Sequence, residues 1–236
     1  MDPLTLGLLA VLFGALGWCT ITAIRRWNVA AIVNTLATSA VAVVSLVLVA
    51  ETQSAWTGGL VAPTLPLWAA VAGVLHSVGM LGWYESVWWW DHLTHTVSAM
   101  LVTALIYAGL VVAVETGTIA GLAQTAVPLA TLAFVLLVGV FWELIELLAR
   151  AVGERYDIEP VLVHYGWRDT AFDLLFNLVG AVVIVALDVR VFVDLAARFP
   201  TLTGALVNWF GGLVTVGSVL IVLVLGVSEE HEEWGI

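Results

Sequence analysis

Lysine is absent from this 236-residue chain; its seven basic side chains, Arg25, Arg26, Arg150, Arg155, Arg168, Arg190 and Arg198, are all arginine. That absence excludes a seven-helix protein built on a retinal Schiff base, which needs a lysine amine. Cys19 is the single cysteine, so neither an intrachain disulfide nor a thiolate zinc cluster is possible. Charge of any sign is scarce, at 11% of residues. A soluble domain carries roughly 25%, and half of that cannot coat a water-facing surface of this size. The few charges present are mostly acidic, 18 Asp and Glu giving a net charge of −11. Such a balance argues against nucleic acid, whose phosphates demand a basic surface. It argues equally against recruitment by anionic lipid head groups. An acidic, lysine-free bias resembles that of proteins from extreme halophiles, which bears on habitat rather than activity.

What the chain has in excess is apolar length. Sixty-two per cent of it is hydrophobic, and its mean hydropathy is +1.08. A span needs about 20 mainly apolar residues to cross the hydrocarbon core. Stretches 4–24, 28–50, 66–83, 92–114, 127–149, 170–188 and 203–226 satisfy this, numbered here as spans 1 to 7. Span 3 is the weakest, being short and holding His76, so six spans is the fallback. The Met-Asp-Pro start lacks the positive region of a cleaved signal peptide, and span 1 is expected to remain as an anchor. With no repeat and no long linker, the chain reads as one all-α, polytopic transmembrane domain of a plasma membrane.

Arginine placement sets the expected orientation. The 1–2, 3–4 and 5–6 connections share one side and hold five of the seven arginines, so that side is cytoplasmic by the positive-inside rule. The N-terminus is then outside, and the acidic tail Ser228–Glu233 inside. Trp83, Tyr84, Trp88, Trp89 and Trp90 in the 3–4 connection match an interfacial aromatic belt, and the glycines of span 3 read as helix packing.

Three polar clusters stand out because their side chains are costly in lipid. Asp91-His92-Leu93-Thr94-His95 opens span 4, Glu143-Leu144-Ile145-Glu146 lies in the last turns of span 5, and Asp169, Asp173 and Asn177 stripe the start of span 6. Spacings of three and four put each set on one helical face. If spans 4 and 5 each cross once, span 4 starts, span 5 ends and span 6 starts on the same membrane side. All three clusters then fall within about 12 Å of one face, at 1.5 Å of rise per residue.

Five carboxylates in that volume repel one another and call for a positive guest, or for arginines such as Arg150 and Arg168. Carboxylates beside two imidazoles suit Zn²⁺, Mn²⁺ or Fe²⁺ better than Mg²⁺ or Ca²⁺, which take oxygen alone. The metal-dependent reading assigns Asp91, His95, Glu143 and Asp173 as ligands and Glu146 or Asp169 as general base. It leaves His92, Asn177 and Arg168 to orient ligands or substrate. Bland readings stand beside it. Asp91 and Asp169 sit where helix N-caps belong, and the histidines suit ordinary interfacial hydrogen bonds. Glu143 and Glu146 resist this treatment, because negative charge is disfavoured near a helix C-terminus. His76 reads as a satisfied packing histidine, and His164, Glu154, Asp157 and Glu159 as solvated loop residues. Arg190, Asp194 and Arg198 read as an interfacial turn.

The motifs Asp91-x-x-x-His95, Glu143-x-x-Glu146 and Asp169-x-x-x-Asp173-x-x-x-Asn177-x-x-Gly180 resemble those of the VanZ-like and YjdF-like small membrane proteins. The YjdF-like group is closer, since Trp142 through Glu146 match its Trp-Glu-x-x-Glu. The resemblance covers about residues 85–188 and leaves spans 1, 2 and 7 outside. Where the VanZ-like pattern has Gln this chain has Glu146, and where it commonly has Lys this chain has His92; both departures favour a cation. The resemblance implies an architecture and no assigned reaction. The site itself suits a hydrolase acting on a lipid-borne or amphipathic substrate at the cytoplasmic interface. Alternatives are an ion or solute transporter using the acids as a cation or proton site, and an accessory subunit bound to another membrane protein or a second copy. A haem protein would have to pair His76 with His92 or His95.

Overall fold

The computed structural model describes residues 2–53, 61–158, 160–162 and 166–233, and the side chains of 51–53, 61–62 and 227–233 fall outside that description. Glu159, His164 and the side chains of Glu51 and the acidic tail therefore lie outside the described residues. Nine α-helices and no strand occur among the described residues. They are α1 (Pro3–Arg25), α2 (Val29–Gln53), α3 (Val61–Val78), α4 (Tyr84–Ser86), α5 (Trp90–Glu115), α6 (Val127–Tyr156), α7 (Trp167–Ala186), α8 (Val193–Arg198) and α9 (Pro200–Glu233). Among the described residues, seven helical stretches are long and apolar enough to cross a membrane.

Two of the seven depart from the sequence reading. The third runs from Pro63 to Ser86 across a kink at Gly82, and the fifth runs from Gln124 to Tyr156, 33 residues. Span 5 was expected to end at 149, where apolar content stops. The helix continues because Arg150 and Glu154, one turn apart, pair at 2.8 Å on its exposed face and support another turn. Asp157 (φ 53) then ends it in the left-handed region, with Ile158 N–H returning to the Gly153 carbonyl. Glu143 and Glu146 therefore lie well inside α6 rather than at its C-terminus, away from the negative end of its macrodipole.

The chain divides into two compact units, residues 1–101 and 102–236. In the first, α1, α2 and α3 pack on one another. Lipid is as apolar as leucine, so small residues distinguish the packed faces. On α1 the buried stripe is Leu9, Leu16, Cys19 and Ala23; on α3 it includes Ala69, Ala70 and Ser77. At Gly73 a Cβ would lie 3.2 Å from the Cβ of Thr38 and 3.6 Å from Cδ2 of Leu16, so all three helices meet there. Outward positions such as Leu4, Val11, Trp18 and Val44 are exposed to lipid.

Beyond α3 the helix widens into a π-turn over Gly79–Trp83, bent at Gly82 (φ 114). Irregular backbone at this depth needs substitute partners, and side chains provide them. Arg26 Nη1 donates to the Leu81 carbonyl at 2.9 Å, and Ser86 Oγ to that of Gly82 at 2.6 Å. Trp90 Nε1 donates to the Leu75 carbonyl at 2.9 Å.

In the second unit α6 packs against α7 and α9. Residues 106–113 of α5 are buried throughout, with Ile106, Tyr107, Leu110 and Val111 joining Val127, Val135 and Ala181 in one core cluster. Close crossings again fall on glycine: a Cβ at Gly109 would meet Val207 at 2.8 Å, and one at Gly217 would meet Phe141 at 2.7 Å.

Candidate functional site

Asp91 and His95 occupy the first turns of α5 and turn toward each other, with His95 Nε2 3.6 Å from Asp91 Oδ1. Both are largely shielded, their side chains 17% and 21% exposed for His95 and Asp91 respectively. Since α5 begins at Trp90, Asp91 lies inside the first turn and is not its N-cap. A carboxylate there is still favoured by the unpaired N–H groups at the helix start. His92 is half-buried, its ring edge-on to Trp88 at 6.3 Å.

In the second unit a deeper pair of acids is built by the crossing of α6 and α7. Gly139 is where these helices come closest: its missing Cβ would lie 2.9 Å from Leu174 Cδ2 and 3.2 Å from Asn177 Nδ2. Consecutive spans joined by a short connection run antiparallel, so one turn onward on α6 and one turn back on α7 reach the same level. Those positions are Glu143 and Asp173, 4% and 2% exposed. Asn177, at 9%, closes the set from the next turn. Two carboxylates buried on facing turns of one helix pair are the least ordinary feature of the molecule.

The remaining candidates lie on α6 and α7. Glu146 is half-buried and accepts the indole N–H of Trp142 at 2.8 Å. Asp169 lies in the first turn of α7, whose N-cap is Gly166, so it too is not the cap expected from sequence. In both cases the helix starts on a tryptophan, one residue before Asp91 and two before Asp169. Arg168 is exposed and lies over the Trp167 ring at 5.4 Å, while Arg150 bonds Glu154. These two arginines, considered above as counter-charges, are thus engaged at the surface.

Sequence reasoning missed two associations. His76 is indeed satisfied, with Nδ1 2.7 Å from the Tyr84 hydroxyl and Nε2 3.2 Å from Asn34 Oδ1. Its partnership with Tyr84, read as a belt aromatic, depends on the π-turn and has no periodic signal. The other lies past α7, which ends at Ala186, two residues before the expected limit of span 6. There Asp188 (φ 48) accepts on one oxygen from both Tyr107 Oη at 2.6 Å and Arg190 Nε at 2.8 Å. The Arg190 hydrogen bond, and then that of Tyr107, hold the Asp188 carboxyl below its ordinary 3.8. A group of depressed pKa contributes stability above its unfolded value and loses it as pH falls through the folded one. Tyr107→Phe is therefore expected to lower Tm by about 2–4 °C at pH 7. Below the folded pKa of Asp188 that difference should close. Thermal melts in detergent across pH 3–7 check this.

The spanning helices and their inward-facing acids define a multi-pass membrane protein. The chain belongs to the DUF2238 family of predicted membrane proteins, whose profile matches residues 4–194. That supports the YjdF-like side of the resemblance, a DUF2238-type family. It also corrects the extent: α1, α2 and α3 fall inside the family's span, whereas α9 lies beyond it. No curated protein and no solved structure matches the chain.

Proposed function

We propose that this chain is a membrane-embedded metal-binding protein, acting as a metal-dependent hydrolase on a lipid-borne or amphipathic substrate at the cytoplasmic interface. The observation that carries the reading is the burial of Glu143 and Asp173 on facing turns of α6 and α7. Charge held in so dry a place marks a functional site by default, and a cation is the simplest compensation. Asp91 and His95, already side by side, supply an oxygen and an imidazole nitrogen. If α5, α6 and α7 each cross the membrane once, the start of α5 shares a membrane side with the end of α6 and the start of α7. A mixed set of carboxylates and imidazole favours zinc, manganese or iron over magnesium or calcium.

Bound there, the ion would bring the pKa of a coordinated water toward about 7 and make it a nucleophile at neutral pH. Glu146 or Asp169, both half-buried, would take that water's proton. Asn177 and His92 orient ligands, and Arg168, exposed beside Trp167, meets an anionic head group. The test is elemental analysis of detergent-purified protein after supplementation with zinc, manganese or iron. About one ion per chain is expected, with strong loss in Glu143→Ala and His95→Ala. Wild-type protein that stays metal-free under all three conditions would overturn the reading.

A further inference from the structure

The first unit holds a second polar constellation that the metal reading leaves unused. Asn34, 8% exposed, donates through Nδ2 to the Ala30 carbonyl at 2.9 Å. Its Oδ1 is thereby turned toward His76 Nε2 at 3.2 Å and acts as acceptor. The imidazole must therefore carry its hydrogen on Nε2, which leaves Nδ1 as the acceptor for the Tyr84 hydroxyl at 2.7 Å. In order these are a hydroxyl, a base within hydrogen-bond reach, and a third group that fixes the base, the general arrangement of an activated nucleophile.

The chain is irregular where this contact is made. In an unbroken α-helix, residues eight apart are separated by about 12 Å of rise and face about 80° apart. The π-turn and the bend at Gly82 close that gap and return the phenol to the imidazole. Gly79 completes the arrangement, because a Cβ there would run into the Tyr84 ring. Tyr84 is half-buried, between the exposed Trp83 and Glu85 at the end of the third spanning stretch, where an amphipathic molecule would present its polar end.

We infer that Tyr84, His76 and Asn34 form a nucleophilic triad whose working atom is the Tyr84 phenol oxygen, directed at the carboxylic ester of an amphipathic molecule. In the step, the phenol proton passes to His76 Nδ1 and the oxygen bonds to the ester carbonyl carbon. The alcohol departs with the proton returned from Nδ1, and water then releases the acyl group as the acid, restoring the phenol. The triad uses no residue of the metal site.

Methanesulfonyl fluoride tests it on the intact protein in detergent. The reagent forms a sulfonate ester on a reactive phenol and releases fluoride with the proton, and peptide mass mapping separates the four tyrosines. Tyr84 is expected to react at least about tenfold faster than Tyr156, although Tyr156 is 66% exposed. His76→Phe should cut the Tyr84 rate by at least about tenfold, and Asn34→Ala by less. Tyr84 reacting no faster than Tyr156 would overturn the triad, and that comparison needs no variant to fold. The metal content of the same wild-type samples reports separately on the carboxylate site.

Discussion

Replacing Gly139 with leucine is expected to destabilise the protein by about 3 kcal/mol or more, the upper end of the overpacking range. It should also abolish the metal binding proposed for α6 and α7. Even a first added carbon would sit 2.9 Å from Leu174 and 3.2 Å from Asn177. Alanine requires both neighbours to yield by tenths of an ångström, whereas leucine drives the helices apart. The wedge would enter one turn from Glu143 and level with Asn177, so the acids would lose their common depth. Gly14 and Gly212 provide the control, since nothing lies within 4 Å of a Cβ built at either. Leucine at those positions meets only lipid, and their melts should stay close to wild type. If Gly139→Leu melts with these controls, the close crossing of α6 and α7 is wrong.

Asp173→Asn is expected to have effects of opposite sign with and without metal. Without an ion, two buried carboxylates at one level repel, and burial itself disfavours their charge. A neutral side chain of the same shape relieves this, and the variant should be more stable by about 1–2 kcal/mol, raising Tm by roughly 2–8 °C. With zinc present the order should reverse, because a ligand has been removed. Loss of groups that merely orient a ligand costs about 10–100-fold in metal affinity, so loss of a ligand should cost more than 100-fold. Melts of both proteins with chelator and with saturating zinc make the comparison. A variant whose Tm shifts equally in both conditions would show that Asp173 touches no ion.

The membrane class and all seven crossings were legible in the sequence, because hydropathy over about 20 residues reports directly on what lipid accepts. Helix ends were less so. Hydropathy falls off at Arg150, yet a helix in water continues as long as its backbone bonds and pairs such as Arg150–Glu154 sustain it. Asp91 and Asp169 resembled caps because Asp is common there, while the tryptophans that begin each helix carry no start signal. Within the candidate site, spacing was enough to bring Asp91 to His95 and to put Asp173 with Asn177. The mutual depth of Glu143 and Asp173 rests on Gly139, which in the sequence is one glycine among 21. Least visible was the link from His76 to Tyr84. Nothing in a 3.6-residue period foretells a wider turn, and the bond exists only because of one.

That kink has a consequence for the residues just after it. Each residue of an α-helix advances the azimuth by about 100°, and the non-helical Gly82 (φ 114) resets that phase for the short helix Tyr84–Ser86. Ahead of it, α3 presents one meridian to α1 and α2; behind it, Tyr84 turns back onto His76 while Trp83 and Glu85 stay exposed, until Val87 (φ −128, ψ 94) ends the helix before Trp88. A single-residue deletion in this stretch would leave composition and hydropathy almost untouched. It would nonetheless rotate the Tyr84 ring away from His76 and break the hydrogen bond between them.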